Sequence, residues 1–163
     1  MAVDMFLKLD GIDGDSTAHK HKGEIELLSY SWGLSQTLSS PGGGGGAGKV
    51  NVSDFSITKQ IDASSPKLME ACCQGQHIKD GTLTVVTKGG QKQEEYLIIK
   101  LTDILVSSYQ TGGNNTVPMD QVTLNFASVD IAVSDRRGGV VSQVSCDFHK
   151  LGGQLGNNHD NHD

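Results

Sequence analysis

Val122-Thr123-Leu124-Asn125-Phe126-Ala127-Ser128-Val129-Asp130-Ile131-Ala132-Val133 carries its apolar residues on even positions as far as Phe126 and on odd positions from Val129. Alternation with a period of two describes a strand with one buried face. A switch of parity at Ser128 describes a strand that bends through an inserted residue and changes which face it buries. Bent strands favour closure of a sheet into a barrel.

The same signature recurs on both sides. Downstream, Val140, Val144, Cys146 and Phe148 share one parity with Ser142, while Gln143, Ser145, Asp147 and His149 share the other, which predicts a strand with Cys146 in the core. Upstream, Tyr96-Leu97-Ile98-Ile99-Lys100-Leu101 is apolar on both faces and needs two covers, one from the barrel interior and one from a helix or a neighbouring subunit. Residues 83–86 pair with it across a turn at Gly89-Gly90, and Gly112-Gly113 and Gly138-Gly139 mark further turns. Parity shifts near Leu27-Leu28 and Ser53-Asp54 predict two more bends, and Val3, Met5, Leu7 and Leu9 open the chain as a strand. Ser64-Ser65-Pro66 supplies a capping hydroxyl and a proline for the first helical position, and Leu68, Ala71 and Cys72 recur at helical spacing before Gly75. The fold class is therefore mainly β: a small β-barrel of two packed antiparallel sheets with one short α-helix.

A chain of 163 residues fits one domain, expected over residues 1–151, while 152–163 hold almost no apolar material and are expected to fray. With 13 Lys and Arg against 19 Asp and Glu, the net charge of −6 repels nucleic acid and anionic membrane. No run approaches the roughly eighteen apolar residues of a membrane helix, so no membrane insertion is expected. Met1-Ala2-Val3-Asp4-Met5 has no basic stretch followed by an apolar one, so no classical signal peptide is expected. Cys72, Cys73 and Cys146 are odd in number and lack C-x-x-C spacing, which suits a reducing cytoplasm. Cys72 and Cys73 read as packed apolar residues, since nothing basic marks them as nucleophiles.

Gly43-Gly44-Gly45-Gly46-Ala47-Gly48-Lys49 satisfies most of the G-x-x-x-x-G-K phosphate loop. Val50 stands where a Mg²⁺-binding Ser or Thr is required, and a strand follows where a helix N-terminus should stand. The better reading is an exposed loop. His159-Asp160-Asn161-His162-Asp163 could hold a metal only adventitiously, without a second layer of orienting groups. Asp10, Asp13 and Asp15 miss the EF-hand spacing. His19, His21 and His77 read as surface residues, and no catalytic constellation appears. No cofactor, metal site or enzymatic activity is expected.

Met1-Ala2-Val3-Asp4-Met5-Phe6, Ser29-Tyr30-Ser31-Trp32-Gly33, the stretch 42–51, Ser64-Ser65-Pro66-Lys67-Leu68-Met69 and Leu124-Asn125-Phe126-Ala127 together closely resemble haemolysin-coregulated protein, Hcp, the tube protein of bacterial type VI secretion. The resemblance runs from Met1 to about Phe148. It implies a homo-hexameric ring, with stacked rings forming a tube that a contractile sheath propels, and it implies partners in sheath, baseplate and spike proteins. It places the contact between rings on the long loop Ser39, Ser40, Pro41, Gly42, Gly43, Gly44, Gly45, Gly46, Ala47, Gly48 and Lys49. It also implies effector proteins bound in the lumen, with Ser31 as the candidate contact, and export from the cytoplasm through the type VI system itself. The family is not enzymatic unless a toxin domain is fused, and the residues after Leu151 are too few for one. Two other readings stay open on the residues alone: a phosphate-loop nucleotide-binding enzyme and a monomeric ligand-binding barrel.

Overall fold

The computed structural model describes residues 2–38, 47–88, 94–135 and 139–148. In chain order these form β1 (Val3–Leu9), β2 (Ile25–Leu27), β3 (Ser29–Ser31), β4 (Leu34–Leu38), β5 (Ala47–Val52), β6 (Phe55–Gln60), α1 (Ser64–Gln74), β7 (His77–Thr87), β8 (Glu95–Gly112), β9 (Met119–Asn125), β10 (Ser128–Ser134) and β11 (Val140–Asp147). The strands are antiparallel, and the main sheet runs β2-β1-β7-β8-β9-β6-β3 with β10 and β11 branching from β8. Among the described residues β4 and β5 pair only with each other, as a two-stranded arm.

The parity breaks explain the branching. β8 runs for 18 residues. Along it β9 pairs from Gly112↔Met119 to Leu105↔Asn125, and β10 continues from Thr102↔Ser128 to Leu97↔Val133. β9 and β10 are thus one strand broken at Phe126-Ala127. One half goes on to β6 and the other to β11. A second break at Leu28 works the same way. β2 pairs with β1, β3 pairs with β6, and the Leu28 N–H between them donates to the Thr58 carbonyl at 2.7 Å. The first and last strands of the sheet are therefore joined through one residue, which closes the barrel.

The interior is filled by Leu7, Ile25, Phe55, Ile57, Leu83, Leu101, Ile104, Val122 and Leu124, each at most 1% exposed. Leu68 and Ala71 of α1 pack into the same core, where the helix lies against β8. Each fully buried Leu, Ile, Val or Phe side chain contributes about 1.5–3 kcal/mol.

Several expectations need correction. Phe6 lies on the polar parity of β1 yet is buried, because its ring stacks on that of His21 at 4.5 Å. His21 is accordingly no surface residue: its Nδ1 meets Glu24 at 2.9 Å and its Nε2 meets Glu95 at 3.1 Å. In α1 the cap position falls on Ala63, and Pro66 is the third helical residue, not the first. The Asp62 carboxylate accepts the Ser64 N–H at 2.9 Å, while the Ser65 hydroxyl turns inward. Gly75 closes the helix at φ +62°, the left-handed conformation that favours glycine. Cys73 is exposed and Cys72 half-buried. Strands β7 and β8 are longer than the apolar runs that announced them.

Candidate functional site

The surfaces available for assembly grow out of three places in this barrel. The first is the arm. Its Ala47, Gly48 and Lys49 belong to β5, whereas Ser39, Ser40, Pro41, Gly42, Gly43, Gly44, Gly45 and Gly46 lie outside the described residues. Leu34, Gln36 and Leu38 stand opposite Val52, Val50 and Ala47 on the ladder. Leu34 and Leu38 are 46% and 82% exposed, which is far more than a side chain seated on a core would show. The opposite parity is polar, with Asn51 Nδ2 donating to Thr37 Oγ1 at 2.6 Å.

The second is β3. Tyr30 turns inward and stacks on Phe55 at 5.7 Å, and burial raises its hydroxyl pKa, with Tyr96 adding to the effect. Ser29 and Ser31 are exposed on the opposite face, as alternation predicts, and Ser31 lies across from Ser56 of β6. Next in the chain, Trp32 packs among Phe55, Phe126 and Phe148 with ring centroids 5.7–6.4 Å apart. Its indole N–H is buried with no acceptor among the described residues.

The third is β11 at the margin of the sheet. Val129 and Cys146 lie against the core, but farther along the same face Val133 and Val144 are 39% and 64% exposed. Cys146 is half-buried and not fully in the core. Val140 does not share the Val144 face. The pairing shifts between Val133↔Ser142 and Ser134↔Val140, so Val141 is an extra residue that turns Val140 onto the face of Gln143 and Ser145. On that polar face the Asp130 carboxylate accepts from Ser145 at 2.6 Å and Gln143 at 3.0 Å, and those bonds hold its pKa below the usual range.

Beneath these surfaces lies a charged group that sequence reasoning missed. Lys59 is fully buried and donates to Asp120 at 2.9 Å, Asp62 at 2.8 Å and Ser65 at 2.9 Å. Tyr109 and Ser65 also donate to Asp120, at 2.8 and 2.5 Å. Burial pushes the Asp120 carboxyl up, but hydrogen bonds from Ser65, Lys59 and Tyr109 and the Lys59 charge outweigh it, so its pKa falls below the ordinary value. The signal was available. Lys59 follows Phe55 and Ile57 on the inward parity of β6, and Asp120 precedes Val122 and Leu124 on that of β9.

Among the described residues, no group of three or more His, Cys, Asp and Glu is placed to hold a metal ion. No helix there is long and apolar enough to cross a membrane. Surface clefts of about 240 and 300 Å³ are lined by Asp15, Glu26, Leu28, Ile61 and Asp62, and by Thr58, Thr111, Met119 and Gln121 respectively.

Residues 6–133 match the family model described as type VI secretion system effector, Hcp. The chain is 52% identical over 134 residues to protein hcp1 of Pseudomonas aeruginosa, covering 80% of this chain and 83% of that protein. Among solved structures, Hcp1 from Salmonella typhimurium superposes with a TM-score of 0.79 at 34% identity, covering 92% of this chain and 97% of that one. A type VI secretion system effector from Yersinia pestis does so with a TM-score of 0.70 at 30% identity, covering 88% and 99%.

Proposed function

Because the chain belongs to the Hcp family of type VI secretion proteins, we propose that it is a non-enzymatic subunit of that system's inner tube, built as a homo-hexameric ring that stacks on further rings. The observation that carries this reading is the uncovered apolar face at β10 and β11, where Val133 and Val144 extend the core face into solvent. A monomer gains nothing by exposing Val133 and Val144, whereas a neighbouring copy gains their burial. Contact of β11 with a different part of the next copy is head-to-tail, and such contacts close into a ring when the rotation permits. Sedimentation and native mass spectrometry should find six times the 17.3 kDa protomer. Val144→Asp should yield folded monomer. Wild-type protein that stays monomeric across the micromolar range overturns the ring.

The arm and the loop it carries, residues 39–49, are assigned to contact between rings. The exposed Leu34 and Leu38 support this, as does the strand that begins at Ala47, where a phosphate loop requires a helix. Deleting residues 43–46 should spare the ring and impair secretion. Ser31 is assigned to the channel wall as an effector contact, on the support of its exposure opposite Tyr30. Ser31→Gln should keep the ring and reduce co-purification of a cognate effector; unchanged retention overturns the assignment. Sheath, baseplate and spike proteins are the further partners, and the protein works in the bacterial cytoplasm before leaving with the tube. Residues 1–151 act as the barrel subunit, and 152–163 are dispensable for the ring.

A further inference from the structure

Among the described residues the arm has no ladder bond to the main sheet, so its direction depends on the two places where the chain leaves and re-enters the barrel. The exit is Trp32-Gly33 and the return is Ser53-Asp54, the point at which the sequence changes parity. Across the root, Gly33 and Ser53 bond to each other three times. The Gly33 N–H donates to Ser53 Oγ at 3.0 Å, Ser53 Oγ donates to the Gly33 carbonyl at 3.1 Å, and the Ser53 N–H donates to the same carbonyl at 3.1 Å. The neighbouring Asp54 reaches the barrel. One carboxylate oxygen accepts from Ser107 at 2.7 Å and the other from Asn125 Nδ2 at 3.2 Å.

Ser107 is itself in an unusual position. The β8–β9 ladder shifts between Val106↔Leu124 and Ser108↔Thr123, which leaves Ser107 as an extra residue on β8. Bulges of this kind re-aim a side chain. Its hydroxyl also lies 2.7 Å from Thr123 Oγ1, which lies 2.6 Å from Ser108 Oγ. Since Ser107 gives its proton to the carboxylate, Thr123 donates to Ser107 and Ser108 donates to Thr123. The result is a relay of three hydroxyls ending on a negative charge, an arrangement in which each bond polarises the next.

We propose that Ser53 and Asp54 are positioning residues for assembly: Ser53 clasps the arm at Gly33, Asp54 anchors it to the bulge at Ser107, and together they aim the face bearing Leu34 and Leu38 at the adjoining ring. This rests on the reading of the arm as the contact between rings. All five bonded side chains and backbone groups lie at the surface, away from the core, so removing them changes where the arm points and not whether the barrel folds. A two-stranded arm without such an anchor samples many directions, and the ordering it then loses on docking weakens the contact.

The test compares Ser53→Ala/Asp54→Ala with wild type and with Ser53→Thr, which keeps a hydroxyl. Three quantities are measured: ring mass, secretion in a bacterium lacking its own tube subunit, and the distance distribution between nitroxides on Thr37→Cys and Lys67→Cys in a background without native cysteines. The double variant should retain the ring, at least double the width of the distance distribution and lower secretion at least tenfold, with Ser53→Thr near wild type. An unchanged distribution, an unchanged secretion level or loss of the ring each overturns the proposal. Leu38→Asp separates the two failures: if it secretes normally, the arm is not the contact between rings, and the assignment of Ser53 and Asp54 falls with it.

Discussion

β9 and β11 read alike in the sequence and are treated oppositely by the fold. Asp120, Val122 and Leu124 of β9 are all buried, whereas Ser142 and Val144 of β11 stay exposed on a parity just as regular. The difference lies in neighbours: β9 sits between β8 and β6 with α1 nearby, and among the described residues β11 pairs with β10 alone. An alternating pattern declares that a face needs cover. It does not say whether the cover comes from the same chain.

The largest expected effect breaks this comparison at its buried end. Lys59→Met removes the cation from Asp120 and leaves a carboxylate buried without its charge partner, which should cost about 3–5 kcal/mol in urea-unfolding measurements. A loss below about 1 kcal/mol would show that Asp120 finds other compensation. Next, truncating the two matched apolar residues sharpens the contrast. Leu124→Ala should cost about 2–5 kcal/mol whatever the oligomeric state. Val144→Ala should cost under about 0.5 kcal/mol in the isolated protomer and show its effect on ring dissociation.

The smallest effect concerns acid. The Asp120 carboxyl is held below its usual pKa in the folded protein. Its stabilisation is therefore complete above the unfolded value of about 3.9 and is lost as pH falls through the lower folded value. Melting temperature should drop on acidification below about pH 4 more steeply in wild type than in Asp120→Asn. Parallel curves would assign the acid sensitivity to other carboxylates.

The bends were legible because each moves a whole apolar set from one parity to the other, and Leu28, Ser53-Asp54 and Ser128 all mark real breaks. The lengths of β7 and β8 were not, because Lys79, Asp80, Asp103 and Gln110 interrupt their pattern while the ladder bonds, which are made by backbone, continue past them. The inward parities of Lys59 and Asp120 were legible, but their pairing was not, because the two residues are 61 positions apart. The burial of His21 was not legible locally, since it depends on Phe6 of β1 and Glu95 of β8 as well as on nearby Glu24. For the proposed site, the sequence placed Ser31 opposite Tyr30 correctly, but nothing local linked Asp54 to Ser107.

The closure of the barrel also sets a timetable. Phe55 of β6 pairs with Leu124 of β9, which the ribosome adds about 70 residues later; at about 5–20 residues per second the wait is roughly 4–14 s. During it β7 and β8 can already form their hairpin, while β6 shows an unpaired edge and bare Phe55 and Ile57 to the cytosol. An unpaired edge is a template on which a strand of another chain can pair. The order of synthesis therefore leaves β6 open to a wrong partner until β9 arrives.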